Sequence, residues 1–473
     1  MTIQIELALG RPQIVAGEDV PFTITVRNDG GADETVRDPA LDADWPKLEV
    51  LDPTGFRAAY GGRTDREKHG HEFVQPPVPE RVTLAPGDQA SADAKMLRWV
   101  GPLAPGSYEV RLQLEADGIA VRSTKHPLEV LPLRATGVEL VGPDAGTFDP
   151  LYAMATHREA DGTASLLAWM HLTDDEGHLE SGGMQRLGAV GPAPVSSVSR
   201  AGLPYPGQWI VWIGGGHLRG FFHMQGRPIE RVDTALYTPT SLVGPVLTEL
   251  EGCDGSAPPR GEVLLVEASR ASVGTLLPDG SLAYGAEWPL DGALEWGRAT
   301  LPQSNVREGW LALRRDGALE VVRLRWDDAQ LPEAPEVIAT ARDARVLGGD
   351  LRIGADGGVY GALVTRRDLE EGPGEYELLR FGVSADGSPG AASTPIVTDP
   401  PRDFVRAIVG VRSDGAPYAL AQAVGGAWWG ATSEHLIANV DPGGEPLAVT
   451  FWLGAPHALV AVDAGVAYRE LPR

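Results

Sequence analysis

The feature that most constrains this chain is a short strand–turn–strand unit that recurs through its last two-thirds. The unit is clearest in residues 309–326, GWLALRRDGALEVVRLRW, where two apolar runs flank Asp316-Gly317. Glycine supplies the positive φ that a two-residue hairpin turn needs, so the segment predicts two antiparallel strands. The apolar residues after the turn change phase between Val321 and Val322. This change indicates either a β-bulge or a strand that is buried on both faces.

Asp-Gly pairs mark the unit along the chain. Six of them are predicted to be hairpin turns: Asp161-Gly162, Asp279-Gly280, Asp316-Gly317, Asp356-Gly357, Asp386-Gly387 and Asp414-Gly415. Two further strand pairs lack Asp-Gly and turn near residues 214–216 and 454–456. With the Asp386 turn assigned to an outer hairpin and 262–288 taken as one unit, seven units are centred near residues 161, 215, 273, 316, 356, 414 and 457. Their spacing, roughly 40–58 residues, is in the range of propeller blades.

The composition fits an all-β protein of more than one domain. The chain has 473 residues, too many for one ordinary core. Its 59 glycines and 39 prolines are spread between short apolar runs, which is typical of many turns. No long segment keeps a period of about 3.6 residues, so a helical repeat is not expected.

The first 133 residues have a different pattern, with about seven short strands separated by regular turns. Ile3, Ile5 and Leu7 alternate with polar residues, and residues 22–26 and 108–114 do the same. Such alternation predicts strands with one buried face. Residues 33–79 are polar and rich in proline, and we expect a long, partly irregular insertion or set of loops there. The pieces AGEDVPFTITVRNDG, LAPGD and LAPGSYEVRLQLEADG resemble immunoglobulin-like β-sandwich domains. The resemblance implies a sandwich over 1–133 and says almost nothing about activity.

Residues 134–473 resemble a seven-bladed β-propeller at the level of fold. The motifs of WD40, kelch, sialidase and quinoprotein propellers are absent from the sequence, so no residue roles follow from those families. A ring of sheets must close, and residues 135–141 and the end of the chain both have strand patterns. We therefore predict that 135–141 pairs with the C-terminal strands in one shared blade.

Charge and cysteine content restrict the partners and the compartment. The formal net charge is −25, which disfavours binding to nucleic acid or to anionic membranes. The single cysteine, Cys253, excludes an internal disulfide. The N-terminal residues lack the pattern of a signal peptide, and no window has the apolar length of a membrane-spanning helix. We expect a cytoplasmic protein.

No pattern in the sequence predicts a catalytic, metal or cofactor site. The pairs His69/His71, His171/His178 and His217/His223 lack the spacing of a zinc motif, and the acidic runs at 42–44 and 174–176 do not follow a calcium-loop pattern. Cys253 lies in an acidic loop, which disfavours a reactive thiolate. A nucleophile elbow, a Walker A motif and a dinucleotide-binding motif are also absent.

The most suggestive candidates for binding are Trp428 and Trp429, which lie between Gly425-Gly426 and Gly430. Adjacent residues of a strand point to opposite faces, so we expect one tryptophan to pack between blades and the other to be exposed. Trp209 and Trp212 are a weaker version of the same pattern.

Three functions remain open at this point. The absence of a catalytic pattern favours a non-catalytic interaction or scaffold protein with a protein partner. An enzyme whose residues converge from several blades on a central channel is the first alternative, because sequence spacing cannot reveal such a site. A glycan- or small-ligand-binding module that uses Trp428 or Trp429 as a stacking platform is the second.

Overall fold

The computed structural model is all-β apart from one helical turn, α1 (Leu97–Val100). It describes residues 3–37, 39, 46–61, 81–116, 119–141, 152–159, 161, 163–173, 179–181, 183–190, 195–198, 207–214, 217–224, 230–236, 241–249, 260–267, 269–276, 282–300, 306–327, 329, 331–370, 373–399, 401–434, 436–463 and 465–473. Within this part of the chain, no helix has the length and apolar character to cross a membrane.

The chain divides into two units. The first comprises Met1–Arg134 together with Leu167–Leu187 and Ala461–Ala467. The second comprises Ala135–Leu166, Gly188–Val460 and Tyr468–Arg473.

The described part of the first 134 residues contains eleven strands. They are β1 (Ile3–Leu9), β2 (Gln13–Val15), β3 (Pro21–Asn28), β4 (Glu34–Arg37), β5 (Pro46–Leu51), β6 (Arg57–Gly61), β7 (Arg81–Leu84), β8 (Gln89–Lys95), β9 (Gly106–Ala116), β10 (Ile119–Arg122) and β11 (His126–Leu131). One sheet has the order β1-β3-β8, a second has the order β2-β11-β9-β5-β6 with β10 added on β9, and β4 pairs with β7.

The two larger of these sheets share one hydrophobic core. Ile5 and Ile24 contribute to it from the first sheet, and Leu48, Val110 and Leu112 contribute from the second. The alternation predicted for residues 3–9 is confirmed, because the odd-numbered residues from 3 to 7 are buried and the even-numbered ones are exposed. Each strand thus lends one apolar face to the core, which is the arrangement of a β-sandwich.

The segment 33–79, which was expected to be a partly irregular insertion or set of loops, contains three strands in its described part. Strands β4, β5 and β6 lie there, and β5 pairs with both β6 and β9. Short strands that pair with distant partners leave a weak local signal, because the partner strand supplies the burial. Residues 62–79 lie outside the described part.

Strands after residue 134 form seven successive antiparallel sheets. Sheet 1 contains β12 (Ala135–Val141), β13 (Tyr152–Arg158), β14 (Ala164–Thr173) and β15 (Leu179–Ser181), with β16 (Gln185–Val190) paired to β14. Sheet 2 contains β17 (Val195–Val198), β18 (Gly207–Gly214), β19 (His217–Met224) and β20 (Glu230–Leu236). Sheet 3 contains β21 (Ser241–Glu249), β22 (Arg260–Val266), β23 (Arg270–Leu276) and β24 (Leu282–Pro289).

The remaining sheets have the same order of consecutive strands. Sheet 4 contains β25 (Ala293–Thr300), β26 (Arg307–Arg315), β27 (Ala318–Trp326) and β28 (Glu336–Arg342). Sheet 5 contains β29 (Ala344–Ile353), β30 (Val359–Arg367), β31 (Glu375–Val383) and β32 (Pro389–Pro395). Sheet 6 contains β33 (Phe404–Val411), β34 (Pro417–Ala423), β35 (Trp428–Thr432) and β36 (Leu436–Val440), and sheet 7 contains β37 (Glu445–Trp452), β38 (Ala455–Val462) and β39 (Gly465–Glu470).

Each of the seven predicted centres falls in a different sheet, but the Asp-Gly turns do not mark one fixed position. Asp316-Gly317 joins the second and third strands of sheet 4, whereas Asp356-Gly357 joins the first and second strands of sheet 5. Asp386-Gly387 closes the outer hairpin of sheet 5, as predicted. A tight turn needs only suitable local residues and can join any two adjacent strands of a sheet. The Asp-Gly pairs therefore indicate that a sheet is present but not which of its strands they join.

The hairpin at 309–326 is confirmed in detail. Asp316 and Gly317 form its turn, with φ of 47° and 73°. The phase change after the turn has both of the causes considered above, a β-bulge and burial on both faces. The register of β27 shifts between Val321 and Val322. Val321 packs in a core shared with sheet 5, whereas Val322 packs in a core shared with sheet 3. Sheet 4 is therefore buried on both faces.

The predicted pairing of 135–141 with the C-terminal strands is wrong for the described residues. Strand β12 pairs with β13, which follows it in the chain, and the C-terminal strands form sheet 7 by themselves. A local hairpin closes a shorter loop than a pairing between chain ends, so it costs less entropy.

The first strand of each sheet lies beside the first strand of the next, and β37 lies beside β12.

Candidate functional site

Trp428 and Trp429 begin strand β35 of sheet 6, and both are buried, at 7% and 6% exposure. The expectation that one of them is exposed is wrong. Trp429 packs in the core between sheets 5 and 6, and the guanidinium of Arg402 lies over its ring at 5.3 Å from the centroid. Arg406 covers the ring of Trp428 at 5.0 Å. At 7% and 6% exposure, neither indole offers a stacking platform.

The turn before the two tryptophans exposes an aliphatic side chain. Gly425 and Gly426 have φ of 101° and 94°, values that favour glycine, and they reverse the chain between β34 and β35. The turn is held by hydrogen bonds from the N–H of Gly426 to the carbonyl of Ala423 and from the N–H of Ala423 to the carbonyl of Ala427. Val424, at the start of the turn, is 66% exposed.

Asp403 ties this turn to one loop and to strand β31 of the neighbouring sheet. Its carboxylate accepts hydrogen bonds from the N–H of Gly374 at 2.9 Å and from the hydroxyl of Tyr376 at 2.8 Å. Its carbonyl accepts a hydrogen bond from the N–H of Val424 at 2.7 Å. The Gly374 N–H and then the Tyr376 hydroxyl stabilise the carboxylate, and this lowers the pKa of Asp403.

Four exposed aliphatic side chains lie on these connected segments and at the adjoining start of β33. They are Leu369 (41% exposed), Val397 (73%), Val405 (53%) and Val424 (66%), and we call them the apolar face. Single exposed aliphatic residues are ordinary on protein surfaces, and these four are distinguished by lying on segments that hydrogen bonds and sheet pairing connect.

Arginines border the apolar face. Arg402 is exposed, and no carboxylate pairs with it among the described residues, so its cation–π contact with Trp429 is what positions it. Arg406 also contacts Gln422 and forms an ion pair with Glu445. The two buried tryptophans therefore support two guanidinium groups, which was not predicted from the sequence. Arg402 and Arg406 precede the tryptophans in the sequence, but the stacking of their guanidinium groups on the indoles depends on the tertiary structure.

The first strands of sheets 4 to 7 line a cavity of about 320 Å³. The described residues that line it include Trp296, Arg298, Asp350 and Arg352, with one carboxylate and no histidine among them. Across the described part of the chain, no group of three or more histidine, cysteine, aspartate or glutamate side chains could hold a metal ion. The described lining of the cavity thus combines two arginines with one aspartate.

The other sequence candidates lie either outside the described residues or within strands of sheets 1 and 2. His69, His71, His178, Cys253 and the acidic runs at 42–44 and 174–176 lie outside the described residues. His171 belongs to β14, and His217 and His223 belong to β19. Trp209 and Trp212 belong to β18.

Together these sheets define the class of protein: an all-β chain with a propeller-like succession of small antiparallel sheets. No protein-family description matches the chain, and no curated protein matches it by sequence.

Three solved structures are similar at low identity. A fucose-specific lectin from Aleuria aurantia aligns over 72% of this chain and 97% of its own, with 11% identity and a TM-score of 0.39. BBS1N, solved in complex with ARL6DN, aligns over 72% of this chain and 97% of its own, with 13% identity and a TM-score of 0.38. An exo-β-1,3-galactanase from Clostridium thermocellum aligns over 70% and 83%, with 13% identity and a TM-score of 0.31. At these scores the likenesses carry no argument about the function of this chain.

Proposed function

We propose that this chain is a non-catalytic interaction protein, built from an immunoglobulin-like sandwich over 1–133 and a seven-bladed propeller over 134–473. Two sheets that share one core support the sandwich. Seven successive sheets whose first strands adjoin, with β37 beside β12, support a closed ring. In such a ring each sheet seals the faces of its neighbours, which gives a rigid surface for docking.

The observation that carries this function is the apolar face. Leu369, Val397, Val405 and Val424 expose aliphatic carbon on segments that Asp403 and sheet pairing hold in place. A preorganised apolar surface loses little conformational entropy when a partner covers it, so buried area contributes more fully to affinity. Trp428 and Trp429 take part by holding Arg402 and Arg406 beside it.

The partner that fits this surface is a protein with aliphatic side chains and a carboxylate. The aliphatic groups would cover the valines, and the carboxylate would pair with the guanidinium of Arg402 through charge-assisted hydrogen bonds. Nucleic acid and anionic membranes are poor partners for a chain of net charge −25. The single cysteine keeps a reducing, cytoplasmic location as our expectation.

The test compares two double variants of the full chain in its native cell. Val397→Ser/Val424→Ser changes the apolar face, and Leu331→Ser/Leu453→Ser makes a matched change at exposed aliphatic residues outside it. After chemical crosslinking and purification, we expect a defined protein to be attached to the wild type and to the control variant. The apolar-face variant should lose it while keeping the wild-type melting temperature.

A further variant separates the charge from the apolar contact. Arg402→Ala removes the exposed guanidinium and leaves the valines, and we expect it to weaken partner binding about tenfold. Equal crosslinking of the apolar-face variant and the control variant would rule out this face as the docking site.

A further inference from the structure

We infer that the free edge of strand β8 (Gln89–Lys95) is a self-association surface, where β8 of a second copy of this chain adds antiparallel and extends the sheet. Strand β8 is the last strand of the sheet β1-β3-β8, and only β3 pairs with it among the described strands. The edge belongs to the first unit of the chain and the apolar face belongs to the second. The inference therefore does not depend on the proposed docking function.

The backbone of β8 leaves every second residue unpaired at this edge. At the two ends of the β3–β8 pairing, the N–H of Asn28 donates to the carbonyl of Asp88 at 3.0 Å, and the N–H of Met96 donates to the carbonyl of Val20 at 2.9 Å. Hydrogen-bonded and non-hydrogen-bonded pairs alternate along an antiparallel ladder, so the even-numbered residues of β8 bond to β3. The backbone groups of the odd-numbered residues point away from the sheet and have no hydrogen-bond partner within the described residues. These residues are Gln89, Ser91, Asp93 and Lys95.

Other edge strands of this protein carry features that discourage the addition of a strand. The pairing register shifts, as at a β-bulge, in the last strands of sheets 2, 3, 4 and 6. The last strand of sheet 5, β32, keeps its register but begins with Pro389 and ends with Pro395. The N–H of Ile396 donates to the carbonyl of Tyr376, so both prolines lie at positions whose N–H would point outward. Strand β8 has an unbroken register of seven residues and no proline.

One register pairs β8 with its own copy over the whole strand. It places Ala92 opposite Ala92 of the second copy, Gln89 opposite Lys95, and Ser91 opposite Asp93. The outward backbone groups then form the hydrogen-bonded pairs, and the alanines form the non-hydrogen-bonded pairs, in which side chains lie closer together. Lys95 faces an amide oxygen and Ser91 faces a carboxylate, so each donor meets an acceptor. No like charges lie directly opposite each other.

Charge separates β8 from the other edge of the same sheet. Strand β1 also has an unbroken register, but its central residue is the exposed Glu6, which self-pairing over the full strand would set against its own copy. Strand β8 has Ala92 at the corresponding place, and the charges of Asp93 and Lys95 cancel. The strand is thus formally neutral in a chain of net charge −25, which lets two copies meet there.

The edge is held in place before any pairing. On its exposed face, the hydroxyl of Thr23 donates to the Asp93 carboxylate at 2.7 Å, and the hydroxyls of Thr25 and Ser91 lie 3.0 Å apart. On the opposite face, Ala90 and Ala94 pack against the core of the sandwich. A strand that is already ordered loses little conformational entropy when a second strand adds to it.

The test is sedimentation equilibrium of the full chain between about 1 and 200 µM. We expect the mass to rise with concentration from 50.2 kDa towards twice that value, with a dissociation constant below about 100 µM. Hydrogen-exchange protection of the N–H groups at 89, 91, 93 and 95 should rise over the same range of concentration. A mass that stays at 50.2 kDa throughout would overturn the inference.

Two proline variants locate the interface. Ser91→Pro removes an outward N–H from β8, and we expect it to weaken self-association at least about tenfold. Ala391→Pro is the matched control, because Ala391 is an exposed residue whose N–H points outward from β32. The control should associate like the wild type. Equal association of the control and a folded Ser91→Pro variant would exclude β8 as the interface.

Charge variants at Gln89 test the register, and they decide the question if melting curves show that Ser91→Pro does not fold. Gln89→Glu should strengthen self-association about threefold, because the new carboxylate would face Lys95 of the second copy. Gln89→Lys should weaken it about threefold, and adding Lys95→Gln should restore the wild-type value. Both effects should shrink in added salt. Effects of the same sign for Gln89→Glu and Gln89→Lys would contradict this register.

Crosslinking in the native cell distinguishes a second copy from another occupant. We expect crosslinks that join residues 89–95 of one copy to residues 89–95 of another. Crosslinks from these residues to a different protein, with a full chain that stays at 50.2 kDa, would assign the edge to a strand of that protein and overturn self-pairing.

Discussion

The ion pair between Glu262 and Arg307 offers the sharpest test of how the sheets are held together. Nε of Arg307 in sheet 4 lies 2.7 Å from Oε2 of Glu262 in sheet 3, and the two side chains are 3% and 5% exposed. The indole N–H of Trp326 donates to the same carboxylate oxygen at 3.1 Å. A single carboxylate therefore serves two donors from the adjacent sheet.

The expected cost of Glu262→Leu follows from this arrangement. Removing one partner of a buried ion pair costs about 3–5 kcal/mol, because the remaining charge loses its compensation. Adding Arg307→Met replaces the whole pair by apolar groups of similar size, which is often neutral or stabilising. In both variants the Trp326 N–H loses its acceptor, at a cost of about 1–3 kcal/mol. Because only the double variant also removes the uncompensated charge of Arg307, we expect it to be more stable than Glu262→Leu alone.

The measurement is the free energy of unfolding from urea titrations followed by tryptophan fluorescence. An exposed pair of the same type provides the control: Arg367 and Glu375 form an ion pair with side chains 43% and 53% exposed. Glu375→Leu should change the free energy by about 0–1 kcal/mol, and added salt should reduce that effect further. Equal losses for Glu262→Leu and Glu375→Leu, or no recovery in the double variant, would refute the account of a buried inter-sheet pair.

Three further predictions concern pH, burial and turn geometry. The pKa of Asp403 is lowered, so its ionised carboxylate stabilises the fold above the ordinary aspartate range, and this stabilisation is lost when acid protonates the group. Hydrogen-exchange protection at the Gly374 N–H should therefore fall between about pH 5 and pH 2 in the wild type. In Asp403→Asn the protection should not change over this range. Burial raises the pKa of Tyr418 to about 12, and its hydroxyl has no hydrogen-bond partner in the described structure. Tyr418→Phe should therefore raise the free energy of unfolding by about 1 kcal/mol and remove one late step from a spectrophotometric tyrosine titration; a loss of stability would contradict this. Gly317→Ala, at a φ of 73°, should cost about 1–2 kcal/mol in urea unfolding, and an unchanged midpoint would argue against a left-handed turn there.

The local features of the fold were predictable because they depend on neighbouring residues. Alternation in residues 3–9 predicted which side chains enter the core, and it did so correctly. The turn at Asp316-Gly317 and the phase change after it predicted both a hairpin and burial on two faces. Each centre predicted from a turn or an apolar run belongs to its own sheet, since the sheets after residue 134 are made of consecutive strands.

The candidate sites were not predictable in the same way. The sequence marked Trp428 and Trp429 as contact residues, but burial by adjoining sheets and stacking by arginines decide what they do. Asp403 carries no motif. Its importance comes from a loop and strand β31 of sheet 5, which meet its carboxylate, and from a turn of sheet 6, which meets its carbonyl.

By itself, the sequence determined the alternating strand at residues 3–9 and the hairpin at 309–326, because period-two alternation and glycine turns are properties of a few adjacent residues. Only the tertiary structure decided which first strands adjoin, which tryptophans are covered, and that Arg298 and Asp350 line one cavity. Those outcomes depend on packing between sheets that are distant in the chain, and each side chain's exposure is set by the neighbouring sheet.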